Sequence, residues 1–154
     1  MKLRAIGLTL AMSLTGLALC FAENPNIGTW KLNETKSKFG PGSAKNSTVV
    51  FQAVGDEIKI TTDGVDSQGK PIHREWKGKF DGKDYPLSGD PNSATRAYKV
   101  VNDRTMEGTD KKNGKVMTTA RIVLSADGKT RTVTVNGTNA AGKPVHSVAV
   151  YDKQ

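Results

Sequence analysis

Few residues in this chain are of a type and spacing that could do chemistry. His73 and His146 are the only histidines, and each stands two residues after a Gly-Lys-Pro turn. Brought together with an Asp or Glu they could hold zinc, which takes three or four nitrogen, sulfur or oxygen ligands. Their repeated position at the start of a strand instead predicts a structural role, and no metal site is expected. Asp63 with Asp66, or Asp81 with Asp84, could act as a carboxylate pair for hydrolysis. All four fall in turn-like sequence, where Asp serves the backbone. The chain has no Gly-X-Ser-X-Gly elbow, His-Glu-X-X-His, phosphate loop or glycine fingerprint after a strand. Catalytic residues and cofactors are therefore not expected, and binding is favoured over catalysis.

The cations offer more. Ile72, Arg74, Trp76, Gly78 and Phe80 share one face of an alternating segment, as do Arg96, Tyr98 and Val100, and again Met117, Thr119, Arg121 and Val123. A basic residue among uncharged ones on three strands is what a cavity holding an anion would show. Arg74 has two readings, an inward cation awaiting an anionic ligand or an exposed residue paired with a carboxylate, and the second is preferred. The opposite faces, with Ile122, Leu124 and Ala126, are at least as apolar, so pattern leaves open which face is interior. The expected lining is Arg74, Trp76, Tyr98, Arg121 and Tyr151.

The elements that must position these residues are strands. Val49–Trp76 aligns without a gap on Ile122–Ala149, with Gly55/Gly128, Gly64/Gly137, Gly69/Gly142, Lys70/Lys143, Pro71/Pro144 and His73/His146 among the identical pairs. Such an echo marks a repeated three-strand unit. Segments rich in Val, Ile, Thr and aromatics recur from Thr48 to Tyr151, separated by Gly55-Asp56, Asp81-Gly82, Asn113-Gly114 and Asp127-Gly128. These dipeptides supply the backbone angles of tight hairpins. Gly28–Leu32 precedes them as a first strand, Asp84–Pro91 adds a short edge strand, and Glu34–Ser47 is a loop. The expected fold is all-β: a single antiparallel up-and-down barrel of about eight to ten strands, with a two-sheet sandwich as the alternative.

The first 22 residues stand apart. Lys2 and Arg4 precede an uncharged run from Ala5 to Phe21, and Cys20-Phe21-Ala22 resembles a cleavage site. This is the pattern of a secretory signal peptide, too short and too poorly flanked for a membrane span. A lipid anchor at Cys20 is the weaker alternative, because Leu19 stands where a small residue is wanted. Residues 23–154 then form one exported domain, periplasmic or extracellular, with no cysteine and hence no disulfide or thiol chemistry. The formal net charge of +8 includes Lys2 and Arg4. The remaining charges are spread along the chain, which predicts a solvated surface rather than a nucleic-acid site.

Gly28-Thr29-Trp30 fits the Gly-X-Trp signature of the calycins, the lipocalin and fatty-acid-binding-protein group. Gly28–Leu32 resembles the opening strand of intracellular lipid-binding proteins, and Val148–Lys153 is similar to their last strand. The resemblance implies a barrel with an internal cavity for a small apolar ligand and a tryptophan, Trp30, plugging one end; the function expected is an exported, monomeric barrel binding a small apolar or amphiphilic molecule. Three departures are visible. Glu34–Ser47 is too short for the helical lid of the lipid-binding proteins. Ala149 stands where their last strand carries a carboxylate-gripping arginine. No arginine lies in Pro144–Tyr151, where lipocalins set one near the signature tryptophan. The alternative function is a packed barrel with no cavity, acting as an envelope-associated surface module with anionic partners.

Overall fold

The computed structural model describes residues 24–139 and 141–154. The expected signal peptide, with Cys20, lies outside them. Eleven strands form one antiparallel sheet: β1 (Gly28–Leu32), β2 (Lys38–Phe39), β3 (Lys45–Val54), β4 (Glu57–Val65), β5 (Pro71–Gly78), β6 (Tyr85–Ser88), β7 (Thr95–Asn102), β8 (Thr105–Lys112), β9 (Lys115–Leu124), β10 (Thr130–Thr138) and β11 (Pro144–Lys153). From β3 to β11 each strand pairs with the next, as tight hairpins dictate. β1 pairs with β3 through Trp30 and Val49 and with β11 through Trp30 and Lys153, which closes the barrel. Closure leaves no long free edge. Ten strands make the closed wall, and β2 is an extra strand on the outer part of β11, where Phe39 faces Ser147. The up-and-down barrel, not the sandwich, is the architecture observed. β2 falls inside the segment expected to be loop, because two residues are too few to show alternation.

The repeat is carried into three dimensions. Gly64 and Gly137 occupy matching places on β4 and β10, and at both a Cβ would stand 2.1 Å from a neighbouring carbonyl oxygen, of Lys45 and Met117 respectively. Only glycine admits that approach. His73 lies opposite Asp63, with Nδ1 2.6 Å from Oδ1, and His146 lies opposite Asn136, with Nδ1 2.7 Å from Oδ1. Both histidines are exposed on the outer wall and pair across their hairpins. Asp66 and Asn139 each accept from two backbone N–H groups of their own turns, of Gln68 and Lys70 and of Ala141 and Lys143. Asp81 accepts from the Lys83 backbone N–H and from the Tyr85 hydroxyl. Asp63 departs from the turn reading: it belongs to β4.

The two ends of the barrel differ. One is closed by a core of Trp30, Phe51, Ile60, Met106, Ile122 and Leu124, all nearly inaccessible. Trp30 is fully buried and its indole N–H donates to the Asn26 carbonyl at 2.9 Å. Beside it Trp76 meets Phe80, Tyr85 and Tyr98 with ring centroids 5.0–6.1 Å apart, separations at which aromatic pairs add to simple burial. The loops between β2 and β3, β4 and β5, β6 and β7, β8 and β9, and β10 and β11 gather at the other end, which is open.

Candidate functional site: a cavity with an unpaired arginine at its floor

The open end leads into a cavity of about 380 Å³. Strand alternation turns its lining inward. Val49 and Phe51 come from β3, Val133 and Val135 from β10, and Ala149 and Tyr151 from β11, so one wall is mostly apolar. The facing wall is polar, with Thr62, Arg74, Arg96, Asp110 and Thr118. A volume of this order suits a ligand of roughly a dozen heavy atoms, taking about 30 Å³ for each by analogy with liquid water.

Two of the three arginines on this lining are neutralised. Arg74, 7% exposed, stands with Nε 2.6 Å from an Asp90 carboxylate oxygen, and its Nη1 donates to Asn46 at 2.9 Å. The Nε contact lies off the N–H direction, making it an ion pair rather than a directed hydrogen bond. Burial lowers the Arg74 pKa, and Asp90 opposes that shift. Arg96 grips Asp110 with both arms, Nε to Oδ1 at 2.5 Å and Nη2 to Oδ2 at 2.7 Å. This is the bidentate geometry that makes such pairs strong. Burial works against the Arg96 charge, yet Asp110 and Tyr98 hold its pKa well above the usual arginine value.

Arg131 is different. It is 3% exposed, and among the described residues no carboxylate pairs with it. Its Nε has no hydrogen-bond partner. The guanidinium lies among three rings, 4.9 Å from Trp30, 4.7 Å from Phe51 and 5.1 Å from Tyr151. Ring quadrupoles attract a cation, but they bring no negative charge. Burial pushes Arg131 down to about 10, with Tyr151 and Tyr98 acting in the other direction, so it remains cationic at neutral pH. Burial also pushes the Tyr151 hydroxyl up, against the pull of Arg131 and a hydrogen bond with Asn46. The cavity floor therefore carries a positive charge that no carboxylate among the described residues balances, which is unfavourable unless something anionic joins it.

The sequence-expected residues separate accordingly. Arg74, Tyr98 and Tyr151 line the cavity. The preferred reading of Arg74 as exposed is corrected: it is buried, and its partner Asp90 comes from the loop between β6 and β7. Trp76 is 1% exposed but belongs to the aromatic cluster of the closed end, with its indole N–H donated to the Arg96 carbonyl at 2.9 Å. Arg121 lies on the outer surface, exposed and paired with Glu107 at 3.2 Å. The phase of β9 is the reverse of that expected, because turning Thr118, Ala120, Ile122 and Leu124 inward buries more apolar surface. Val100 is also turned out, at 49% exposure, where the β7–β8 register shifts. Trp30 plugs the closed end, and Gly28, at φ +126, sits against the Lys153 side chain.

Sequence pattern alone does not single out Arg131, Asp90, Asp110 or Asn46. For Arg131 the alternation Arg131, Val133, Val135 was the available signal. Arg131 stands on the strand before β11 and packs on Trp30.

No family model matches the chain, and no curated protein does. Among solved structures it is similar to a redesigned β-barrel, mFAP1, bound to DFHBI (16% identity, covering 84% of this chain and 95% of that one, TM-score 0.47). It is likewise similar to a second redesigned β-barrel (16% identity, 88% and 97% covered, TM-score 0.48).

Proposed function

We propose that this protein is a binding barrel for a small amphiphile with an anionic head, held in the cavity with the head on Arg131 and the apolar part along Val133, Val135 and Ala149. The observation that carries this reading is the cationic Arg131 guanidinium, unpaired and buried at the floor of a 380 Å³ cavity. A carboxylate, sulfate or phosphate reaching it would gain a charge-assisted contact in a site of low dielectric. Arg74 and Arg96 are already held by Asp90 and Asp110, so among the described residues Arg131 is the cavity arginine left without a carboxylate partner. The Tyr151 hydroxyl supplies a further donor, and Arg74 and Tyr98 flank the path to it. Binding rather than catalysis follows from the same inventory: inside the barrel the titratable groups are arginines, their two paired aspartates and tyrosines. The leader suggests that the protein works outside the cytoplasm, as a monomer. The alternative of a packed barrel asks for a filled interior, and the cavity weighs against it.

Native mass spectrometry of the protein purified gently from its own host tests the reading. A discrete added mass, lost on denaturation, is expected. A clean apo mass, with no thermal shift across a panel of amphiphilic carboxylates, sulfates and phosphates, would overturn it.

A further inference from the structure

The charges that look scattered in sequence are sorted by the fold. Each turn at the closed end sets an acid against a base. Asp56 pairs with Lys79 across two turns, and Asp81 with Lys83, Asp103 with Arg104 and Asp127 with Lys129 share theirs. That end is close to neutral.

The open end is not. Lys70, Lys112, Lys115 and Lys143 stand exposed around the mouth, and among the described residues none has a carboxylate within salt-bridge distance. Lys112 reaches only the Pro91 carbonyl, at 2.7 Å. Asp66 shares its turn with Lys70 as the closed-end acids share theirs, and Asp90 is buried on Arg74, so the rim lysines with no acid in their own turns are Lys112, Lys115 and Lys143. Apolar side chains sit beside the lysines, with Pro71, Val116 and Pro144 each following one directly and Pro91 standing against Lys112, all exposed. Lys70-Pro71 and Lys143-Pro144 are the same position of the internal repeat and head β5 and β11, which stand four strands apart one way round the wall and six the other.

From this arrangement we infer that the mouth of the barrel docks on an anionic lipid bilayer. Lysines interleaved with small apolar groups on one face are what an interfacial surface needs: the cations draw it to acidic headgroups and the apolar tips enter the headgroup layer. A nucleic-acid groove would ask for an extended track with aromatic stacking platforms. The rim has no such track: among the described residues Phe39, half-buried on β2 under Lys45, is the aromatic at this end, and the others are inside the barrel or at its closed end. Docked in this orientation, the opening faces the layer that holds amphiphiles. The inference rests on the amphiphile reading for its purpose, but not for its test.

The test is cosedimentation of the ligand-free protein with vesicles of phosphatidylcholine alone and of phosphatidylcholine and phosphatidylglycerol in equal parts. Binding to the second only, released by salt, is expected. Each rim lysine should account for about fivefold in affinity. Replacing Lys70, Lys112, Lys115 and Lys143 by Ala together should therefore abolish binding. Replacing Lys83, Arg104 and Lys129 by Ala removes charge from the closed end and should leave it within about twofold. Equal losses from the two sets would overturn the orientation. Absence of vesicle binding, or retention only of a free polyanion such as heparin, would overturn the lipid surface as partner. Decanoate affinity measured without vesicles reports on the cavity separately and should be unchanged in the rim variant.

Discussion

The Arg131 guanidinium lies 4.9 Å from the ring of Trp30, so the residue that plugs the barrel also supports the charge at the floor of its cavity. The same ring also meets the Lys153 ammonium, 5.3 Å from its centroid. The arrangement separates what Arg131 does for stability from what it does for binding. Arg131→Met keeps the length and removes the charge. Apo stability at neutral pH should be unchanged or higher by about 1–2 kcal/mol, since an unpaired buried charge is replaced by an apolar chain. Denaturant unfolding checks this, and a loss of several kcal/mol would mean that the three ring contacts outweigh desolvation.

The Arg74–Asp90 pair should behave oppositely. Its side chains are only 8% and 6% exposed, and removing one partner strands the other. Arg74→Met or Asp90→Leu alone should destabilise by about 3–5 kcal/mol. The double variant should be closer to wild type than either single one. Additive losses in the unfolding free energies would contradict direct pairing.

Gly78 on β5 is required by the ring of Tyr85. A Cβ at this position would stand 2.4 Å from the Tyr85 Cγ, and the ring is wedged edge-on against Trp76 at 5.7 Å. Gly78→Ala should lower stability by about 1–3 kcal/mol through overpacking. A change in near-ultraviolet circular dichroism from the displaced aromatics should accompany it. Retention of both wild-type signals would contradict the packing described.

On the outer wall, the hydrogen bond with Asp63 raises the His73 pKa above its ordinary 6.5, with Glu75 adding to it and burial and Lys59 opposing. A raised basic pKa stabilises the fold below the unfolded value of about 6.5 and loses that contribution as pH rises through the folded one. Asp63→Asn should therefore reduce Tm more at about pH 5.5 than at about pH 8.5. A proton NMR titration should show His73 returning toward 6.5. An equal effect at both pH values would remove the proposed charge from the pair.

Much of this architecture is legible in sequence because hairpins are local. Asn113-Gly114 and Asp127-Gly128 turn the chain where they stand, and the echo of Val49–Trp76 in Ile122–Ala149 reports a hairpin unit that the structure repeats down to Gly64 and Gly137. Side-chain phase is less legible wherever both faces of a strand are tolerably apolar. On β9 the Arg121 face and the Ile122 face differ little in composition, and only the closed barrel decides between them. Ion pairing is less legible still. Asp90 sits in a loop, and nothing near it in sequence announces Arg74. Arg131 was visible as an alternating residue, but its lack of a partner is a property of the whole interior.

Head-group preference reports whether Arg131 holds an anion. Decanoate and 1-decanol have the same chain and fit the cavity volume equally well; isothermal titration gives the affinity of each. Wild-type protein should favour decanoate by about tenfold or more, the worth of a charge-assisted contact. Arg131→Met should abolish that preference while keeping decanol binding, and Arg121→Ala, on the outer wall, should leave it intact. Equal affinity for the two in the wild-type protein, or a preference that survives Arg131→Met, would contradict the account.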